Sequence, residues 1–177
     1  GLPAGCSVMN GYDGGAQDNE DWLITNSISC TNFSNVTLRF DHARNYNDNS
    51  GLSVLVSTDY DGSSDPNGFT WTDLTSSFAF PASGSWTFND AGTVDINALV
   101  GSSTYIAFKY ISTTAGAATW EVDNITVAGE FNVATFVAGS FNSWNGSDPD
   151  YELSLNANGV LELTKSMAAA THEYKIV

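Results

Sequence analysis

Trp120-Glu-Val-Asp-Asn-Ile-Thr-Val127 reads as a β-strand with one irregularity. Its apolar residues fall at the even positions 120 and 122 and then at the odd positions 125 and 127, so the period of two that marks a half-buried strand changes phase at Asp123-Asn124. One extra residue, a β-bulge, would produce that change, and bulges re-aim side chains beside functional sites. A strand buried on both faces at one end would produce it as well. The same period recurs outward from this stretch, at Val36, Leu38 and Phe40 and at Leu52, Val54 and Val56, with polar residues largely between them. The runs at Trp86-Thr-Phe88, Val94-Asp-Ile96 and Tyr105 to Ile111 continue it, each bounded by Gly, Asp, Asn or Ser. Strands at this spacing predict a two-sheet sandwich. Helix signals are confined to single turns at Ile96–Val100 and Met167–Ala170, too short to organise a fold.

At 177 residues the chain is long enough for a core, since a chain near 150 residues buries roughly 68–70% of its unfolded surface. Four of the five Trp lie before Gly129, and the ~47 residues after Glu130 are too few for a comfortable core of their own. The expected division is therefore residues 1–129 and 130–177. Five Lys and Arg against twenty Asp and Glu give a net charge of −15, which repels phosphate backbones and anionic lipid. Nucleic acid is thus not an expected partner, and with no run of 18 apolar residues neither is membrane insertion. The acidic excess could bind divalent cations through carboxylate oxygens, or could simply be a solvated surface.

Cys6 and Cys30 enclose a Gly-, Asp- and Asn-rich stretch without a core of its own. A disulfide there would stabilise by roughly 3 kcal/mol, and the composition reads as extracellular, so the bridge is expected over two buried thiols. No C-x-x-C occurs, and the signatures G-x-S-x-G, H-E-x-x-H, G-x-G-x-x-G and the phosphate loop are all missing. His42 reads as a strand residue at a sheet surface. Glu121 and Asp123, two apart in one strand, would share a face and mimic a glycosidase pair, but such pairs arise easily by chance, and the chain is read as non-catalytic. Asp59-Tyr-Asp-Gly-Ser-Ser-Asp65 places its Gly too early for a calcium-binding helix–loop–helix and reads as a surface loop.

Two anchors, Asp18-Asn-Glu-Asp-Trp-Leu-Ile-Thr25 and Trp120 to Val127, enclose Leu38-Arg-Phe-Asp-His42 and Leu52 to Tyr60. Together, from about Met9 to Val127, they resemble the choice-of-anchor J and cleaved-adhesin domains of bacterial secreted proteins, relatives of MAM-like jelly rolls. The resemblance implies a non-catalytic jelly-roll β-sandwich, extracellular or on the cell surface, commonly with bound calcium. The sequence departs from that pattern at Thr25-Asn-Ser-Ile28, where a Pro usually follows the Thr, and no opening strand is read before the first anchor. The densest oxygen cluster, Asp18, Asn19, Glu20 and Asp21, is then the expected calcium site, and the family's habit of pairing an early acidic loop with an Asp on the last strand adds Asp123. The alternative for Asp18 to Asp21 is a solvated turn ahead of a strand starting at Trp22.

Past Glu130 the chain reads Gly139-Ser-Phe-Asn-Ser-Trp144 and ends in Glu173-Tyr-Lys175-Ile-Val177. These resemble the G-x-F-N-x-W and E-Y-K-F motifs of the glycogen- and starch-binding modules, which have an immunoglobulin-like sandwich, here expected to be partial. The resemblance implies carbohydrate binding by Trp144 and Lys175, since a sugar's C–H face stacks on an exposed aromatic ring while polar groups take its hydroxyls. The alternative for Trp144 is packing, and Phe136 and Phe141 read as core. The expectation for the whole is an all-β, calcium-stabilised pair of binding or adhesion modules attaching or targeting a larger secreted protein, with polysaccharide or a cell-surface glycan as partner. Gly1 in place of Met and an ending inside a strand pattern read as a piece of such a protein. The competing expectation is a subunit of a surface filament or sheath, completed by strands from neighbouring subunits.

Overall fold

A computed structural model describes residues 5–46, 51–80, 85–132, 134–156 and 160–177. The chain divides into two compact units, Gly1–Phe131 and Asn132–Val177. Both are built from antiparallel strands joined by turns and short 3-10 segments, and the fold is all-β.

The first unit holds β1 (Ser7–Asn10), β2 (Asn19–Ile24), β3 (Phe33–Asn45), β4 (Gly51–Ser57), β5 (Thr72–Asp73), β6 (Ser85–Asp95), β7 (Tyr105–Ser112) and β8 (Thr119–Phe131). They form two four-stranded sheets of order β1-β8-β3-β6 and β2-β7-β4-β5. Eight strands divided between two sheets in this order make a jelly roll. Inward residues follow the period of two: Val36, Leu38 and Phe40 on β3, Val54 and Val56 on β4, and Ile106, Phe108 and Tyr110 on β7 are buried. Phe40 sits at the centre, with ring centroids 4.8 Å from Phe78 and 4.9 Å from Phe108. A strand does precede the first anchor, since Ser7 to Asn10 pair with Val122 to Thr119. Of the two expected helical turns, Asn97–Leu99 forms a 3-10 turn, and Met167–Ala170 is not helical.

The phase change in β8 is a bulge. Between the pairs Arg39–Thr126 and Asp41–Asp123, β8 spends one more residue than β3. Asn124 absorbs it at φ 51°, a conformation Asn adopts more readily than most side chains. Trp120 and Val122 therefore face the core on one side of it, and Ile125 and Val127 pack against the same core on the other. On the opposite flank of β3, β6 carries a second extra residue between Thr93 and Asp90, with Gly92 at φ 95°.

The second unit is one sheet of order β11-β10-β9-β12, from β9 (Thr135–Gly139), β10 (Glu152–Leu155), β11 (Leu161–Glu162) and β12 (Tyr174–Ile176). Ala138 is its one fully enclosed apolar side chain among the described residues. Phe136 and Phe141 are half-buried, and Phe141 stacks on Tyr151 at 4.9 Å.

Candidate functional site

The acidic run enters a strand, and alternation splits it. Asn19 and Asp21 fall on one face of β2, where the Asn19 amide donates to the Asp21 carboxylate at 2.6 Å. Glu20 points the other way and is fully engaged: Lys109 Nζ is 3.1 Å away, and Asn67 Nδ2 (2.6 Å) and Trp22 Nε1 (2.8 Å) both donate to its carboxylate. These hydrogen bonds, that of Asn67 foremost, lower its pKa to about 2. Lys109 also lies 4.5 Å over the Trp22 ring, and Trp22 packs 5.4 Å from Trp71, so Glu20 belongs to a polar and aromatic brace on the outer sheet face. Asp18 stands ahead of the strand and accepts from the Thr114 amide at 3.1 Å. Asp123 lies in the other sheet, opposite Asp41. The five expected ligands thus do not share one coordination sphere, because a strand sends neighbouring residues to opposite faces and Asp123 is carried by the other sheet. Among the described residues no group of three or more His, Cys, Asp or Glu is placed to hold a metal ion. In the loop after β4, Asp61 accepts from the Ser63 and Ser64 amides (both 2.8 Å) and the Ser64 hydroxyl (2.6 Å), which makes it a turn clasp.

The expected disulfide is not formed, and Cys6 and Cys30 are free thiols. Strand register gives the reason. Cys6 immediately precedes Ser7, which pairs with Val122, whereas Cys30 lines a small cavity with Val127, Ala128 and Gly129. Cys6 is thus level with Asp123, which is roughly 13–20 Å along β8 from Val127 to Gly129 at about 3.3 Å per residue, and a bridge needs Cα atoms within about 7 Å. Burial raises the pKa of both thiols.

His42 is not at a sheet surface. It continues the inward parity of Phe40, is fully buried, and has its ring 4.9 Å from Phe80 and its Nε2 3.1 Å from the Ala79 carbonyl oxygen. Burial lowers its pKa. Glu121 and Asp123 do share a face, opposite Ala43 and Asp41, because the bulge comes after both. Glu121, however, is only 1% exposed, with its pKa raised by burial, so its carboxyl does not reach a cleft with Asp123.

In the second unit each residue of Gly139-Ser-Phe-Asn-Ser-Trp144 has a mechanical role. A Cβ on Gly139 would overlap the Glu173 carbonyl oxygen and the Phe141 ring. Asn142 braces the turn, accepting from the Gly139 amide at 2.9 Å and donating to the carbonyls of Val137 and Asn145, each at 3.1 Å. Ser143 and Trp144 take left-handed conformations at φ 55° and 62°, and the Trp144 amide donates to the Gly139 carbonyl at 2.9 Å. Trp144 is left 47% exposed. Lys175 pairs with Ala138 and shares its face of β12 with Val177. A Cβ on Gly146 would lie 3.2 Å from Val177 Cγ2, which sets the 144–146 turn against the face that carries Lys175.

A groove that no local sequence pattern announces lies at one end of the jelly roll. There the ends of β1 and β3 meet the start of β8, since Asn10 and Asn45 both pair with Thr119. The cavity, about 620 Å³, is lined by Asn10, Tyr12, Ala16, Tyr46, Ala117 and Thr119 among others. Trp86 meets Tyr46 edge to face at 5.9 Å.

Residues 25–143 match the family described as Domain of unknown function (DUF5017). The chain belongs to the DUF5017 family. No curated protein matches it. The DUF5017 match takes in β3 through β8 and β9 as far as Ser143, and so includes Tyr46, Trp86 and Asp123. It leaves out Tyr12, Asp18 to Asp21, Trp144 and Lys175. Among the described residues no helix is long and apolar enough to cross a membrane.

Proposed function

We propose that this chain is a non-catalytic pair of binding modules of a larger secreted bacterial protein, and that it attaches that protein to polysaccharide. The observation that supports the reading is the Trp144 turn. Gly139, Phe141 and Asn142 are used to hold a left-handed tryptophan half out of the protein, on a turn that touches the Lys175 face of β12. A side chain recruited only for packing would gain more from burial, since Trp is among the largest apolar contributors to a core. An exposed ring on a turn against the strand face that carries a lysine suits a sugar, whose C–H face stacks while its hydroxyls accept and donate. The resemblance to glycogen- and starch-binding modules favours an α-glucan as the ligand.

The test is retention of the 177-residue chain in affinity electrophoresis through gels containing soluble starch or glycogen. The chain is expected to be slowed, with the retardation lost in Trp144→Ala and reduced in Lys175→Ala. Equal mobility of all three in the presence and absence of α-glucan would end the proposal for this surface.

A further inference from the structure

We infer that the first unit carries a second carbohydrate site, the groove at the end of the jelly roll, and that it takes a neutral oligosaccharide between Tyr12 and Tyr46. This goes beyond the reading of Trp144: it shares with it the ligand class but none of the residues.

Two large aromatic side chains stand open at one cavity. Tyr12 is 62% and Tyr46 64% exposed, and Trp86, 45% exposed, backs Tyr46. Scattered exposed aromatics need no explanation, but these three come from positions 12, 46 and 86 and are gathered by the antiparallel topology at one mouth. The groove's volume, about 620 Å³, is in the range of small-ligand sites.

The groove is held rigid from below. The buried Tyr110 hydroxyl accepts from the Gly11 amide at 3.1 Å and donates to the Ala118 carbonyl at 2.6 Å, tying the two turns that wall the groove. The Ser112 hydroxyl donates to the Gln17 carbonyl at 2.8 Å, and a Cβ on Gly11 would overlap the Ser112 side chain. The Asn10 carboxamide oxygen accepts from the Tyr12 amide at 2.9 Å and fixes the start of its turn. Tyr46 itself is held at φ 58°, a left-handed backbone unfavourable for a tyrosine. That conformation accompanies a ring left in solvent, where a stacking platform has to stand.

Charge selects the ligand. The chain carries a net charge of −15, yet no charged side chain lines this groove among the described residues. Among the described lining residues an anionic ligand finds no cation to receive it, and a cation finds no carboxylate. Tyrosine rings, the Asn10 amide and the Thr119 hydroxyl instead match a molecule with apolar C–H faces and uncharged hydroxyls.

Cellohexaose, xylohexaose, mannohexaose and laminarihexaose, titrated one at a time into the 177-residue chain by calorimetry, test the inference, with Trp144→Ala as the background that removes the other surface. At least one sugar should bind the Trp144→Ala chain, and Tyr46→Ala or Tyr12→Ala in that background should weaken it tenfold or more. Tyr46→Gly, which removes the ring and relaxes the backbone, should abolish binding while keeping the melting temperature, which separates a lost platform from a lost fold. No heat with any of the four sugars would overturn the inference. So would binding that survives Tyr46→Ala, or that disappears with Trp144→Ala alone.

Discussion

Inserting one Ala between Asn124 and Ile125 should unfasten one half of β8 from the core. The bulge already spends one extra residue, so a second one shifts the phase again: holding Trp120 and Val122 inside then turns Ile125 and Val127 outward and brings Thr126 in. Fully burying an Ile or Val stabilises by about 1.5–3 kcal/mol. Both residues are partly buried, and losing about half of that from each amounts to roughly 2–3 kcal/mol. A Thr126 hydroxyl forced inside without a partner adds about 1–3 kcal/mol. The sum, about 3–6 kcal/mol, is a large share of the 5–15 kcal/mol typical of a domain. Urea unfolding followed by tryptophan fluorescence reads it, since Trp120 is fully buried, and the midpoint should fall by about 2 M at a slope of 1–3 kcal/mol/M. Asn124→Gly keeps the residue count and suits the left-handed backbone, losing only the 2.7 Å bond from the Asn124 amide to Asp41, so it should stay within about 1 kcal/mol of the parent. An insertion variant that unfolds at the parent's urea concentration would refute the phase argument.

Three further outcomes are expected. Glu20→Gln should cost roughly 1 kcal/mol at neutral pH, a figure discounted for the partial exposure of its carboxylate. Because the folded pKa is depressed to about 2, that contribution is present above about pH 4.5 and disappears as pH falls through 2, so parent and variant stability curves should converge in acid; a constant gap would contradict the assignment. Thiol titration of the denatured, unreduced chain should find two free sulfhydryls, and finding none would contradict the separation of Cys6 and Cys30 along β8. Trp144→Gly should be near neutral in stability, since the relief of a left-handed backbone, about 1–2 kcal/mol, offsets the contacts of a half-exposed ring; a loss of 3–5 kcal/mol would make Trp144 a packing residue.

The two-sheet sandwich was legible because its strands keep a strict period of two, at Val36-Leu38-Phe40 and Leu52-Val54-Val56, and the bulge was one of two readings of the place where the phase breaks. The inward position of His42 was available by the same rule, as it extends the even parity of β3, but its polarity argued for a surface. β1 was hidden by its length: of Ser7 to Asn10 only Met9 is buried. Acidic residues adjacent in sequence suggested one metal site, and alternation along β2 places them on two faces. Cys6 and Cys30 could not be judged by spacing, because strand register rather than chain separation sets their distance. The groove of Tyr12, Tyr46 and Trp86 had no local signal at all, since only the pairing of β1, β3, β6 and β8 brings those positions to one end. The Gly139 to Trp144 motif was singled out by resemblance, but the bracing by Asn142 and the left-handed backbone at Ser143 and Trp144 had no sequence signal of their own.

Isothermal titration of maltohexaose into the parent chain and into Trp144→Ala tests the proposed attachment most directly. The account predicts saturable binding by the parent and a loss of affinity of tenfold or more in the variant, at unchanged melting temperature. Binding of equal strength in both, or none in either, would contradict it.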